Sequence, residues 1–395
     1  MPRSPGFARA RRYWLATAVA AATAMVAGCS GVPLGGTTPS APPQQPATVG
    51  SGQVKVALIL PLTAPGNAGL AAQSMKNASE MALAEFTKPN IQLLVKDDGG
   101  TAQGAQTAAQ QALDEGAEII LGPLFATSVA AAGQVARTRG IPVIAFSTDT
   151  SVASRGVYLL SFLPESDVER IVEFAAAQGK RSFGALVPEN AYGSVIEAAF
   201  NQAVARRGAR IVALERYPLD RIRMQDPVKR VAQAVGQMDS VFIPDGADAV
   251  PLVAQSLAAN GVTRGKVQLM GTGLWDDPRV FAEPSLHGGW YAAPETAGYR
   301  GFSARYRTRY GQDPVRTATL SYDAVSLVAA LVKTQGPQRF SEQVLTNTSG
   351  FSGIDGIFRF RADGTNERGL AVLRVTPTGG QVVSPAPKAF SGSGT

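Results

Sequence analysis

Residues 54–60 read Val-Lys-Val-Ala-Leu-Ile-Leu, a short apolar run of the kind that forms a strand covered on both faces. A helical stretch at 68–86 follows, with Leu70, Met75, Met81, Leu83 and Phe86 at its apolar positions, and then a second strand at 91–95. The alternation repeats outward: helix 102–113, strand Ile119–Leu121, helix 128–137, strand Val143–Ala145 and a strand near 157–160. Short apolar strands alternating with amphipathic helices indicate βαβ units on a parallel sheet. The same rhythm then restarts. Ser166 and Glu169 have capping-box spacing at the head of a helix running to Gln178. Strand 183–187, helix 192–206, strand 209–214, helix 227–235, strand 241–243, helix 249–259 and strand 267–270 complete a second series, with Asp226 before Pro227 fitting a helix cap. Near 289–293 the chain is expected to cross back, so that helices 302–310 and 317–334 rejoin the first series. Segments 356–360 and 370–375, separated by Asp363-Gly364, read as a terminal strand pair. Two α/β lobes with several crossovers make a hinged molecule whose natural ligand site is the cleft between them.

The N-terminal end carries a different message. Arg3, Arg9, Arg11 and Arg12 precede an apolar stretch at 14–26, and Val26-Ala27-Gly28 leads to Cys29, the single cysteine of the chain. A basic start, a short apolar core and small residues before the cut describe a signal peptide. The apolar stretch is shorter than the roughly 20 residues needed to span a bilayer. From Ser30 to Gln53 the chain is rich in Pro, Gly, Ser, Thr and Gln, with Pro33, Pro39, Pro42, Pro43 and Pro46, and lacks the apolar content for a core. About 23 such residues give a reach of roughly 25–30 Å. The expected division is therefore signal peptide 1–28, Cys29 with a disordered tether 29–52, first lobe 53–162 plus 295–352, second lobe 163–294 plus 353–378, and disordered tail 379–395.

Composition narrows the function. The chain holds 37 Lys and Arg against 30 Asp and Glu, a net +7; without the four leader arginines the balance is 33 against 30, or +3. These charges are scattered, which gives a nucleic-acid surface little support. Catalytic chemistry lacks its parts. His287 is the only histidine, and no G-x-S-x-G, P-loop or G-x-G-x-x-G pattern occurs. Asp97-Asp98 are neighbours on a strand and point to opposite faces. The expectation is a non-enzyme without metal or cofactor.

Taken together, the order of segments resembles the type 1 periplasmic binding proteins, in particular the leucine/isoleucine/valine-binding branch. The resemblance rests on Val56-Ala57-Leu58-Ile59-Leu60-Pro61-Leu62-Thr63, Lys96-Asp97-Asp98, Ile120-Leu121-Gly122-Pro123-Leu124, Gly140-Ile141-Pro142-Val143-Ile144, Ala191-Tyr192-Gly193 and Ser321-Tyr322-Asp323-Ala324. It spans nearly all of 53–378 and implies two Rossmann-like lobes with three hinge crossovers around an interlobe cleft. The residues before Cys29 likewise resemble a bacterial lipobox, which implies a lipidated cysteine. Ser30 is not the Asp that holds enteric lipoproteins at the inner membrane, so the implied address is the periplasmic face of the outer membrane.

In that family the ligand sits between loops at the carboxyl ends of strands, as it does in open α/β sheets generally. The matching loops are Phe125-Ala126-Thr127-Ser128, at a helix start suited to a ligand carboxylate, and Ser147-Thr148-Asp149-Thr150. From the second lobe come Tyr192, Asp245-Gly246 and Trp275-Asp276. The implied ligand residues are Thr127, Ser128, Ser147, Thr148, Tyr192 and Asp245, with Asp245 placed to pair with a ligand ammonium. Thr127 or Ser128 fits equally well as a helix cap, and Asp149 and Asp245 as turn residues. Ala126 stands where amino-acid binders place a hydroxyl, and Asp149 would set a charge near the expected carboxylate. Two functions follow from the resemblance. One is a solute receptor that presents a small, polar, amino-acid-like ligand to the permease of an ATP-binding-cassette importer. The other resembles the penicillin-binding-protein activators, lipoproteins of this fold that stimulate peptidoglycan synthases by contact; the helical-repeat N-terminal domain of the best-known activators is lacking here.

Overall fold

The structure is a computed structural model that describes residues 48–263 and 265–390. The expected signal peptide and Cys29 lie outside the described residues, as does the expected tether up to residue 47.

Seven residues of unbroken apolar character apart from Lys55 make β2 (Val54–Leu60) the centre of the first sheet. It pairs in parallel with β3 (Ile91–Asp97) on one side and β4 (Ile119–Leu121) on the other. β5 (Val143–Ala145) and β6 (Val157–Leu159) extend the sheet in parallel, and β1 (Thr48–Val49) closes the far edge antiparallel to β3. Residues 48–49, expected within the tether, are thus tied to the sheet, because the outer edge of β3 offers unpaired backbone groups that they satisfy. Successive side chains on β2 point to opposite faces. Val56, Leu58 and Leu60 meet α1 (Asn67–Glu85), while Ala57 and Ile59 meet α2 (Ala102–Asp114) and α3 (Ala126–Thr138).

The second lobe repeats the plan. α4 (Pro164–Ala177) leads into β7 (Ser182–Pro188), α5 (Ala191–Arg206), β8 (Arg210–Tyr217), α6 (Gln225–Gln233), β9 (Ser240–Phe242), α7 (Val250–Ala259), β10 (Gln268–Gly271), the short α8 (Pro278–Phe281) and β11 (Trp290–Ala293). Phe183, Ala185 and Val187 of β7 pack on α4 and α5, while Leu186 faces α6 and α7. Two expected caps are corrected. α4 begins at Pro164, whose fixed φ and missing N–H suit the first helical position, so Ser166 lies inside the helix and Glu169 pairs with Arg206 and Arg207 instead. α6 begins at Gln225, which puts Asp226 in its first turn, where a negative charge complements the helix dipole.

α9 (Thr296–Tyr310) and α10 (Ala318–Thr334) return to the first lobe, where Phe302, Tyr306, Leu320 and Val328 join the core under β2, and the short α11 (Glu342–Leu345) follows. The terminal strand pair does not form. β13 (Gly356–Phe360) pairs with β12 (Phe351–Gly353) and β14 (Asn366–Arg368) in a separate antiparallel sheet, whose Phe358 and Phe360 belong to the core of the first lobe. β15 (Ala371–Thr376) instead joins β11 in the second sheet. Residues 353–368, expected in the second lobe, therefore sit with the first, and the last crossover is at 369–370. The tail reading is corrected too: β16 (Gly379–Ser384) pairs with β15 and forms the edge of the second sheet. Its backbone is held by the neighbouring strand, not by its own apolar content.

A partly buried charged cluster lies beside the first and last crossovers. Phe162, in the first crossover, carries Arg316 and Arg368 over its ring, each 4.7 Å from the centroid. Arg316 holds Asp355 with two bonds of 2.6 and 3.0 Å, and Thr319 donates to the same carboxylate at 2.6 Å. Arg368 donates through Nε to the Ser161 carbonyl at 2.9 Å, while its two Nη groups make no hydrogen bond among the described residues.

Candidate functional site

Parallel strands present their carboxyl ends, and the loops that follow them, along one side of each sheet. In the first lobe the loop after β4 turns at Gly122, whose φ of 90° is open to glycine and where a Cβ would stand 2.1 Å from the Ile59 carbonyl oxygen. This delivers Phe125 to the start of α3. No side chain caps α3, so neither Thr127 nor Ser128 acts as a cap, and its first-turn N–H groups are left to a ligand or solvent. Thr127 is exposed there. Ser128 is fully buried and donates to the Thr101 carbonyl at 3.3 Å, turned into its own lobe.

The loop after β5 divides in the same way. Ser147 is buried and accepts from the Asp149 N–H at 3.1 Å, whereas Thr148 is exposed. Asp149 accepts from the Ser151 N–H at 2.9 Å and caps a short 3₁₀ turn, so its charge is engaged locally.

The wall of the second lobe is richer. Asn190 caps α5 through the Gly193 N–H at 2.8 Å, which sets Tyr192 on the first turn with its hydroxyl 3.4 Å from Thr272 Oγ1. Burial raises the Tyr192 phenol well above its usual range, and the nearby Asp167 and Asp245 carboxylates raise it further. Asp245, after β9, accepts from the Tyr217 hydroxyl at 2.5 Å and from the Gly246 N–H at 2.7 Å. Trp275 is buried, and its Nε1 donates to the Ile243 carbonyl at 3.0 Å. Its ring fills the space left by two glycines: a Cβ on Gly271 or Gly289 would lie 2.1 or 2.8 Å from it. Asp276 accepts from Tyr291 at 3.0 Å, and burial raises its carboxyl.

Asp167 was not among the residues expected here. It lies in the first turn of α4 and accepts from the Gly273 N–H at 2.9 Å, and burial pushes its carboxyl up to about 7 against the opposing pull of Gly273 and Arg368. Nothing in the sequence near 167 signals this role, because its partner is 106 residues away. Thr272-Gly273, directly after β10, was the available hint. The structure thus groups Tyr192, Asp245, Asp167 and Thr272 on one wall and leaves Thr127 and Thr148 exposed on the loops of the other lobe. Ser128 and Ser147 are withdrawn into theirs. Among the described residues, no three His, Cys, Asp or Glu side chains stand close enough to hold a metal ion, and no helix is long and apolar enough to cross a membrane.

Solved structures share this architecture. The chain is similar to a branched-chain amino acid ABC transporter periplasmic ligand-binding protein from Burkholderia xenovorans LB400, with 18% identity over 85% of this chain and 96% of that one and a TM-score of 0.68. It is similar to a leucine-binding protein from Thermotoga maritima, with 19% identity, coverage of 84% and 98% and a TM-score of 0.58. A solute-binding protein of an ABC transporter from Rhodopseudomonas palustris BisB5, in complex with 3,4-dihydroxybenzoic acid, gives 20% identity, coverage of 86% and 97% and a TM-score of 0.60. No curated protein matches the chain. Identities this low establish the fold, and the family follows from the sequence itself. Residues 53–381 match the family model described as periplasmic binding protein, and with two α/β lobes and crossovers between them the chain belongs to that family of non-enzymatic binding proteins.

Proposed function

We propose that the chain is an extracytoplasmic solute-binding lipoprotein, anchored through Cys29, that closes on a small amino-acid-like ligand and presents it to an importer of the ATP-binding-cassette type. The observation that carries this reading is the pairing of an uncapped α3 N-terminus in the first lobe with Asp245 beside Tyr192 in the second. Free N–H groups at a helix start suit a carboxylate, and a carboxylate held by Tyr217 and Gly246 is an oriented acceptor for an ammonium. The relatives support the first half of this arrangement, since leucine and 3,4-dihydroxybenzoic acid both carry a carboxyl group.

Calorimetry of the chain without its leader, titrated with the amino acids and with benzoates, tests the reading. Micromolar heat for one amino acid is the expected result. Silence across the panel, with capture of a peptidoglycan synthase from membrane extract, would replace it with the competing reading of a penicillin-binding-protein activator. For the amino acid that binds, Asp245→Asn is expected to weaken affinity by about 10- to 100-fold, the range for losing a charge-assisted hydrogen bond. A change under about threefold would remove Asp245 from the ammonium site.

A further inference from the structure

The three crossovers described above are not the only links between the lobes. Through Ser384 the chain is firmly part of the second lobe: β16 pairs with β15, and Arg170 of α4 donates to Ser384 Oγ at 2.6 Å and to the Leu370 carbonyl at 2.8 Å. Of the six residues that follow, Pro385-Ala386-Pro387-Lys388-Ala389-Phe390, Ala386 still packs against the core of that lobe and the rest lead away from it. The Ala386 N–H donates to Glu295 at 3.0 Å, at the second crossover. Pro387 runs against the third crossover, so closely that a Cβ on Gly369 would stand 3.1 Å from its Cγ. Phe390 then lands on the β12–β14 side. Its ring lies 4.5 Å from the Arg359 guanidinium and rests on Gly350, where a Cβ would come within 2.8 Å of Phe390 Cε2.

That landing place belongs to the first lobe. Phe358 and Phe360 of β13 lie in its core, Asn366 donates to the Leu159 and Ser161 carbonyls at 2.8 Å each, and the Leu159 N–H donates to the Gly364 carbonyl at 2.8 Å. Segment 385–390 is therefore fixed to the second lobe at one end and to the first at the other. Two prolines stiffen it, and at about 3.1 Å per residue its six residues reach about 19 Å at most. Its hold on the first lobe is of a releasable kind, since Phe390 is half-buried and rests on Gly350 and the Arg359 guanidinium. The segment also walls one side of an interlobe groove of about 890 Å³ between α4 and β14, whose width depends on the angle between the lobes.

We propose that residues 385–390 form a strap across the hinge, with Phe390 as its catch, that limits how far the two lobes swing apart. The inference is independent of what the cleft binds. It is tested by electron-spin distance measurements between labels at Gln106→Cys on α2 and Lys229→Cys on α6, both exposed, in a Cys29→Ser background and without added ligand. Compared with the otherwise unaltered chain, Phe390→Ala and a chain stopped after Ser384 are both expected to broaden the distance distribution and shift it to a different mean separation. Phe390 is only half-buried, so its alanine variant retains the fold, and an unchanged melting temperature verifies this. If Phe390→Ala keeps the melting temperature and the distance distribution of the parent, the segment carries no strap, whatever the shortened chain does.

Discussion

Replacing Trp275 by alanine is expected to lower the unfolding free energy by about 4 kcal/mol, within the range for truncating a fully buried tryptophan. The ring is 0% exposed, and glycines at 271 and 289 leave it room that other residues would fill. Truncation would leave a cavity over Gly271 and Gly289 in the second-lobe core and orphan the Ile243 carbonyl. Trp275→Phe separates the two contributions. It keeps most of the apolar contact and gives up the Nε1 bond, so it should cost about 1–3 kcal/mol, the penalty for an unpaired buried polar group. Trp275 also ties the loop after β10 to the end of β9, the loops that carry Asp276 and Asp245. Ligand affinity should therefore fall with stability in the alanine variant. Urea unfolding followed by circular dichroism checks the first expectation, and a loss under about 1.5 kcal/mol would show that Trp275 does not organise this core.

The alternation of strands and helices was legible because the central strands are covered on both faces, and such strands must be apolar throughout. Ile119–Leu121 and Val143–Ala145 appear with the bounds expected from the sequence. The strands that escaped notice have the opposite character. Asn366-Glu367-Arg368 and Gly379–Ser384 are polar or glycine-rich and lie at sheet edges; they are extended because neighbours hold their backbones, which no local pattern records. The same physics governed the site. Tyr192 and Asp245 could be proposed from the sequence because strand-end loops converge by topology. The split between exposed Thr127 and buried Ser128, adjacent in sequence, depends on the rotation of α3 against the Thr101 turn. Asp167 became visible only when folding brought α4 against Gly273.

Stability should decline from pH 5 to about 7 and level off by pH 8, and Asp323 is one of the two carboxyls chiefly responsible. It lies on α10, 3% exposed, with one backbone bond from the Ile354 N–H at 2.8 Å and its second oxygen unpaired. Burial pushes its carboxyl up to about 7, with neighbouring Asp355 adding to the rise and the Ile354 bond, Arg368 and Arg316 opposing it. Because the folded value exceeds the unfolded one, the native state keeps a proton between about pH 4 and 7 that the unfolded chain has released. This contribution is greatest on the acid side of the window, falls as pH rises through 7 and is then lost. Integrated from pH 5 to 8, it amounts to roughly 2–3 kcal/mol for Asp323. Asp167 is raised to about 7 as well, by burial, and acts in the same direction. Asp277 and Asp363 are held below the usual carboxylate range, chiefly by hydrogen bonds that outweigh burial, so their stabilisation is lost only at lower pH and does not mask the trend. The urea midpoint should therefore drop from pH 5 to about 7 in the parent chain and level off by pH 8. Asp323→Asn keeps an acceptor for Ile354 but has no proton to lose, so it should flatten that slope in part, with Asp167 keeping its own share. A midpoint that holds level or rises over this range in the parent would mean that Asp323 is ionised in the folded protein, with Arg368 or Arg316 compensating its charge.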